Sequence, residues 1–339
     1  MQIFLNIVYL IGGLALLIVG ANYFVSGASA LAKKMKVPTI IIGLTIVAIG
    51  TSLPELVVGV ITAIQGNSDI SIGNVVGSNM ANMLLIVGVV ACMKPINVKR
   101  TTRKFDLPFL GLVSILLLLF GSDKYLDSTS ANVLSRVESV VFLLLLFYYL
   151  YRQIKAVKKP NELEFRDPSI TEEVLPAKQE EEETVKDLKG WQIALFMILG
   201  LGGVVGGGEL VSISSKFLAL KMGMSDALVG LTVVALGTSL PELVTSIVAV
   251  KKGEHELALG NVLGSNIMNI VLILGMVGAI TPVSISTDML VDLLIMACCT
   301  IAFIIMCYTK KQISRIEGVI LLTIYAGYLA FAIARNYAF

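Results

Sequence analysis

The chain has 339 residues, of which 56% are hydrophobic and only 15% charged, with a mean hydropathy of +0.87 and a formal net charge of +2. Such a composition excludes an ordinary water-soluble domain and a disordered chain. The near-neutral charge, with no basic stripe interleaved with aromatics, excludes a nucleic-acid partner.

A membrane-crossing helix needs roughly 20 apolar residues. Ten windows are predicted as spans, at about 3–32, 37–65, 70–92, 106–122, 134–152, 191–219, 226–250, 257–280, 289–308 and 315–335. The first has no positive leading segment and is too long for a signal peptide, so it reads as a helix. The stretch from Arg152 to Lys189 carries eight Lys and Arg, and 153–190 carries ten Asp and Glu, including Glu180 to Glu183. It reads as a solvated linker. Basic residues collect on the cytoplasmic side of membrane proteins. With both termini outside, 21 of the 26 Lys and Arg fall in cytoplasmic connections, the linker among them.

The chain is internally duplicated. Residues 43–56 match 230–243 at 12 of 14 positions, and 72–82 match 259–269 at 7 of 11, both at an offset of 187. A fainter echo links Arg136-Val-Glu138 to Arg315-Ile-Glu317 at an offset of 179. The expected fold class is an all-α polytopic membrane protein of ten helices. Residues 1–152 form a first five-helix repeat, with 37–92 as its core. Residues 191–339 form a second, with 226–280 as its core. Five is odd, so the second repeat enters the membrane from the opposite side, as an inverted pair. Helices two, three, seven and eight are expected to form the core.

The motif Gly-Thr-Ser-Leu-Pro-Glu-Leu occurs at 50–56 and again at 237–243. Each copy puts an acid, Glu55 or Glu242, near bilayer mid-depth, where an ionisable group is costly and reads as functional. Pro54 and Pro241 remove a donor and break the helix. The break is expected to free carbonyls, those of Ala48 and Thr51 among them, which helices tolerate only where they line a cavity or lie buried in protein. Thr51 and Glu55 share a helical face, as do Ser78 with Asn82 and Ser265 with Asn269. Carboxylate, hydroxyl and carbonyl oxygens are hard ligands suited to sodium and calcium. Two ionised glutamates are neutralised by one Ca2+ or two Na+, so the loaded forms cross the low-dielectric interior and the empty one does not. Gly73, Gly77, Gly260 and Gly264 form small-xxx-small patterns for close helix approach.

Other polar groups read as structural. The four cysteines have no metal-ligand spacing, and His255, the only histidine, reads as an exposed loop residue. Asn22 and Glu209 read as packing or cavity-lining groups. Asp106, Asp292, Glu138 and Glu317 lie near span ends, where interfacial roles are commoner.

The two GTSLPEL motifs, with GNVVGSNMAN at 73–82 and GNVLGSNIMN at 260–269, resemble the alpha-repeats of the sodium/calcium exchanger family. The resemblance implies electrogenic Na+/Ca2+ antiport by alternating access in the cell membrane. It implies that Glu55 and Glu242, with backbone oxygens of Thr51 and Thr238, hold calcium. Ala48, Ser52, Ser78, Ala235, Ser239 and Ser265, with the same threonines and glutamates, hold sodium, and Asn82 and Asn269 complete the centre. Spans one and six are implied to slide as a gating pair. Some relatives carry aspartate where this chain has Asn269, and the amide argues against potassium dependence. Transported Na+ and Ca2+ and the bilayer are the expected partners, with no cofactor and no obligate protein partner. The closest rival is Ca2+/H+ antiport on the same glutamates. A channel also uses broken helices and would show a conductance unaffected by sodium–calcium counterflow; a non-transporting sensor is a further alternative, and an enzyme reading lacks a catalytic motif.

Overall fold

The computed structural model describes residues 2–66, 68–123, 132–157, 188–223 and 235–337. Nearly all of the linker expected at 153–190 and the start of the seventh span lie outside the described residues. Helix α1 is Gln2–Met35; α2a is Thr39–Thr51 and α2b Leu53–Ile64; α3 is Ile70–Met93; α4 is Asp106–Phe120; α5 is Arg136–Ala156. Helix α6 is Gly190–Lys221; α7a is Ala235–Thr238 and α7b Leu240–Lys251; α8 is His255–Ile280; α9 is Thr287–Thr309; α10 is Arg315–Arg335. Seven of these are long and apolar enough to cross a membrane, and α2a with α2b, bent by 45°, makes an eighth. The fold is therefore an all-helical polytopic membrane fold. Helix α4 falls short of the expected fourth span. Its 15 residues rise only about 22 Å, against a hydrocarbon core of about 30 Å.

The burial pattern separates an interior from a periphery. The apolar windows of α3 and α8 are 78% buried, whereas that of α1 is 17% and that of α10 is 22%. Helix α8 packs on α2a, α7b and α5; α3 packs on α2b, α9 and α10. Among the described residues three turns of π-helix, Gly43–Val47, Ala81–Ile86 and Asn269–Leu274, interrupt α2a, α3 and α8. Such turns widen the backbone locally and recur at functional sites.

Helices α1 and α6 form a peripheral pair whose crossing is built on glycine. A Cβ added at Gly20 would lie 2.6 Å from the Val204 nitrogen and 2.7 Å from the Gly203 carbonyl carbon. One at Gly207 would lie 2.6 Å from the Leu17 nitrogen. Those two contacts are related by the offset of 187, so the crossing repeats itself when the halves are exchanged. Gly20→Ala is expected to force α1 from α6 and to cost about 1–3 kcal/mol, the usual scale of overpacking. The midpoint of thermal unfolding in detergent measures it.

Short strands tie the halves together. Strand β1 (Ile96–Asn97) pairs antiparallel with β4 (Gln312–Ile313), and β2 (Asn132–Leu134) pairs with β3 (Val283–Ile285). Ile96 faces Ile313 and Leu134 faces Val283. Adding 187 to Ile96 gives Val283, and subtracting 179 from Ile313 gives Leu134, so one ladder is the other with the halves exchanged. Two- and three-residue strands carry no periodicity, so the sequence reading missed them.

The echo at Arg136 and Arg315 is a pair of capping boxes. The Ser135 N–H and hydroxyl donate to Glu138 Oε2 at 2.7 and 2.8 Å, and those of Ser314 to Glu317 Oε2 at 2.7 and 2.6 Å. Each glutamate thereby satisfies a free donor at the start of α5 or α10. Asp106 and Asp292, near the starts of their helices, are not solvent-exposed. Both are buried; Asp106 accepts from Gln153 at 2.7 Å, and Asp292 pairs with Arg335 at 2.7 Å. His255 is the half-buried first residue of α8 rather than an exposed loop residue. The four cysteines are free thiols, as expected.

Candidate cation-binding site

The helix breaks fall where the prolines dictate. Pro54 and Pro241 occupy the first turns of α2b and α7b, where a missing N–H costs nothing. The residue between the half-helices carries the bend: Ser52 at φ −86°, ψ 8° and Ser239 at φ −88°, ψ 2°. One expectation needs correction. The Ala48 carbonyl is not freed by the break, because it accepts the Ser52 N–H at 3.0 Å. The proline sits two residues beyond Ser52, so the donor it removes belongs to a later turn.

Glu55 and Glu242 open the second half-helices, where the helix dipole favours a negative charge. Each is 1% exposed. Their donors are serine hydroxyls. Ser78 donates to Glu55 Oε1 at 3.5 Å, and Ser265 donates to Glu242 Oε1 at 3.4 Å. Ser52 also donates to Glu242 Oε1 at 3.1 Å, from the opposite half of the chain. Beyond the expected grouping along one helix, residues 51 and 52 also make contacts between halves. Thr51 Oγ1 reaches Asn261 Oδ1 at 3.1 Å, and Thr238 Oγ1 reaches Asn74 Oδ1 at 3.5 Å. These two contacts are again related by the offset of 187.

Asn82 and Asn269 are buried at the π turns of α3 and α8. Asn269 Nδ2 donates to Asn79 Oδ1 at 3.1 Å. Ala48 is buried against α8, where a Cβ on Gly264 would lie 2.6 Å from its own. Ala235 is in α7a, and its side chain lies outside the described residues. Asn22 and Glu209 stand apart. The Asn22 carbonyl and Ser26 Oγ accept from Lys252 Nζ at 3.1 and 2.6 Å, and Glu209 is exposed.

Four asparagines, Asn74, Asn79, Asn261 and Asn266, escaped the sequence reading. Asn74 and Asn261 were legible, for each lies four residues before Ser78 or Ser265 and so on the same helical face. Asn79 and Asn266 lie one position off that face; Asn79 accepts from Asn269, and Asn266 is buried with neither amide atom bonded among the described residues.

The cluster is rich in oxygen without a donor. Glu55 Oε2, Glu242 Oε2, Asn82 Oδ1, Asn269 Oδ1 and Ser239 Oγ are all buried with no hydrogen-bond partner among the described residues. Leaving such groups bare is costly, more so for a charged one. A cation removes that cost, and oxygen donors suit hard cations. Among the described residues no group of three or more His, Cys, Asp or Glu could hold a metal, so the cluster offers two charges and otherwise neutral oxygens.

A family model described as Sodium/calcium exchanger protein matches residues 5–155 and 191–334. The chain belongs to the sodium/calcium exchanger family. Within that family it is 34% identical over 350 residues to sodium/calcium exchanger MaX1 of Methanosarcina acetivorans, covering 97% of this chain and 98% of the relative. It is 38% identical to putative antiporter CaxA of Alkalimonas amylolytica, covering 95% and 96%. A solved structure of the sodium-calcium exchanger NCX_Mj, soaked with 2.5 mM Na+ and 10 mM Sr2+, superposes with a TM-score of 0.79 at 29% identity, covering 97% of this chain and 99% of that one. Membership of the exchanger family makes this an integral membrane protein of cation/calcium exchange.

Proposed function

We propose that the chain is an electrogenic sodium/calcium antiporter that works by alternating access in the cell membrane, and that it is a transporter rather than an enzyme. The observation that carries this reading is the pair of buried carboxylates, each with one bare oxygen, in a chain whose two halves both bury further bare neutral oxygens. Glu55 and Glu242 with the Thr51 and Thr238 carbonyls hold calcium. The same groups with Ala48, Ser52, Ser78, Ala235, Ser239 and Ser265 hold sodium, and Asn82 and Asn269 complete the centre. One Ca2+ or two Na+ neutralise the acids, so exchange is obligatory, and any further Na+ gives net charge movement. The MaX1 relative is named a sodium/calcium exchanger, and the same ions are assigned here.

The architecture assigned to this function is ten helices in two inverted five-helix repeats, 1–152 and 191–339, joined by a cytoplasmic linker at 153–190, with both termini outside. Three contacts support it. Strands β1 and β4 join connections assigned to the cytoplasm, as does the Lys99–Glu256 ion pair at 2.9 Å. Strands β2 and β3 join connections assigned to the outside. The glycine crossing of α1 and α6 suits their sliding together as a gate.

Calcium uptake into proteoliposomes under a sodium gradient at clamped pH tests the function. Uptake that follows only a pH gradient would instead support calcium/proton antiport on the same glutamates. Asn269→Asp adds a third carboxylate and replaces the donor to Asn79 with an acceptor. It is expected to make calcium affinity pH-dependent, because the excess charge favours taking up a proton or monovalent cation beside Ca2+. Calcium KM measured across pH in both proteins checks this.

A further inference from the structure

Asn74 and Asn261 lie outside the oxygen set assigned above, yet each is bonded on both sides. Asn261 Nδ2 donates to the Glu242 carbonyl at 3.5 Å and to Ser246 Oγ at 3.2 Å, both in its own half. Its Oδ1 lies 3.1 Å from Thr51 Oγ1 in the other half, a hydroxyl that also reaches the Val47 carbonyl at 3.1 Å within its own helix. Asn74 mirrors this, with Nδ2 donating to the Glu55 carbonyl at 3.4 Å and Oδ1 accepting from Thr238 at 3.5 Å. Thr51 precedes Glu55 by four residues, as Thr238 precedes Glu242. The contacts therefore close a ring: Thr51, Asn261, Glu242, Thr238, Asn74, Glu55 and back to Thr51.

We infer that Asn74 and Asn261 are positioning residues that hold the two helix breaks at a fixed separation, and so set the calcium geometry of the site. This rests on the sodium/calcium reading above. An asparagine amide supplies donors and an acceptor together, which the ring requires; aspartate loses the donors and leucine loses both. Calcium gathers six to eight oxygens at about 2.3–2.6 Å, and here they come from both breaks. A monovalent site built on Glu55 and Ser78 draws on one half and depends less on the ring. The two links are unequal. Asn261 is fully buried and its contact with Thr51 is the shorter, whereas Asn74 is half-buried.

The test is sodium-driven calcium uptake in proteoliposomes by the full chain, by Asn261→Leu, by Thr51→Val and by the double variant. Each single change is expected to raise the calcium KM about tenfold, the scale of one buried hydrogen bond. In Asn261→Leu the sodium KM and the maximal rate stay within about twofold, because Asn261 reaches the transported ions only through calcium geometry. The double variant is expected to be no worse than Asn261→Leu, which already removes the shared link together with the Glu242 and Ser246 contacts. Asn74→Leu is expected to act in the same direction more weakly. A merely structural role would lower stability and maximal rate and leave the calcium KM alone. An unchanged calcium KM in Asn261→Leu, or additive effects in the double variant, overturns the inference. If Asn261→Leu does not fold, the near-isosteric Thr51→Val and Thr238→Val, which keep their backbone oxygens, carry the calcium part of the prediction, and calcium-induced thermal stabilisation in detergent reads affinity without transport. Failure of the unaltered chain to take up calcium counts against the antiport reading, while the thermal measurement still decides the ring.

Discussion

Glu242→Gln is expected to reduce sodium-driven calcium uptake by at least about 100-fold, with little loss of folding. The carboxylate and the amide have the same shape, and the oxygen that receives Ser52 and Ser265 at 3.1 and 3.4 Å is retained. What disappears is one of the two charges in the cluster. Two unit charges 4 Å apart at an effective dielectric of 20 attract by about 4 kcal/mol, and a divalent ion feels more. Even partial loss of that term exceeds the roughly 2.7 kcal/mol that 100-fold represents. Glu55→Gln follows the same argument through its Ser78 contact. Near-normal calcium uptake by either variant, in a protein with an unchanged unfolding midpoint, would count against the site itself.

Gly264→Ala is expected to damage the fold and the site together. Its new Cβ would lie 2.6 Å from the Ala48 Cβ and 2.7 Å from the Leu44 carbonyl oxygen. Gly260 has a similar approach, 2.6 Å from the Ile40 carbonyl oxygen. Backbone cannot yield as a flexible side chain does, so α2a has to move away from α8. That displacement opens the 3.1 Å contacts from Thr51 to Asn261 and from Ser52 to Glu242. Overpacking of this kind costs about 1–3 kcal/mol, and each buried bond lost adds about 1 kcal/mol. The expected outcome is a lower unfolding midpoint and loss of calcium uptake. Gly206→Ala is the control, because nothing among the described residues lies within 4 Å of a Cβ added there. Equal midpoints and equal transport in the two variants would show that the α2a–α8 crossing tolerates a side chain.

Much of the site was legible in the sequence because it is duplicated. The acids, their prolines and the serines of α3 and α8 recur at one offset, and helical spacing places Ser78 with Asn82 and Ser265 with Asn269. Local steric rules also put the break near Gly50–Leu53 and its repeat in the second half, and the bends fall at Ser52 and Ser239. The same local rules gave no partner in the opposite half. Spacing grouped Thr51 with Glu55, yet its hydroxyl faces Asn261. It also promised a free Ala48 carbonyl, which the Ser52 N–H satisfies. Asp106 and Asp292 were placed by their distance along the chain from span ends, and burial depends on what packs over them.

The chain by itself determined that this is a membrane protein with two related halves, and where each half bends. Composition, hydropathy and proline act within a few residues, so they can be read without knowing the fold. Which hydroxyl serves which acid was decided only by the tertiary structure. Ser52 serves Glu242 rather than Glu55 because glycines at 43, 260 and 264 let α2a press backbone to backbone on α8. That crossing joins residues about 190 positions apart, a distance over which no local periodicity carries information.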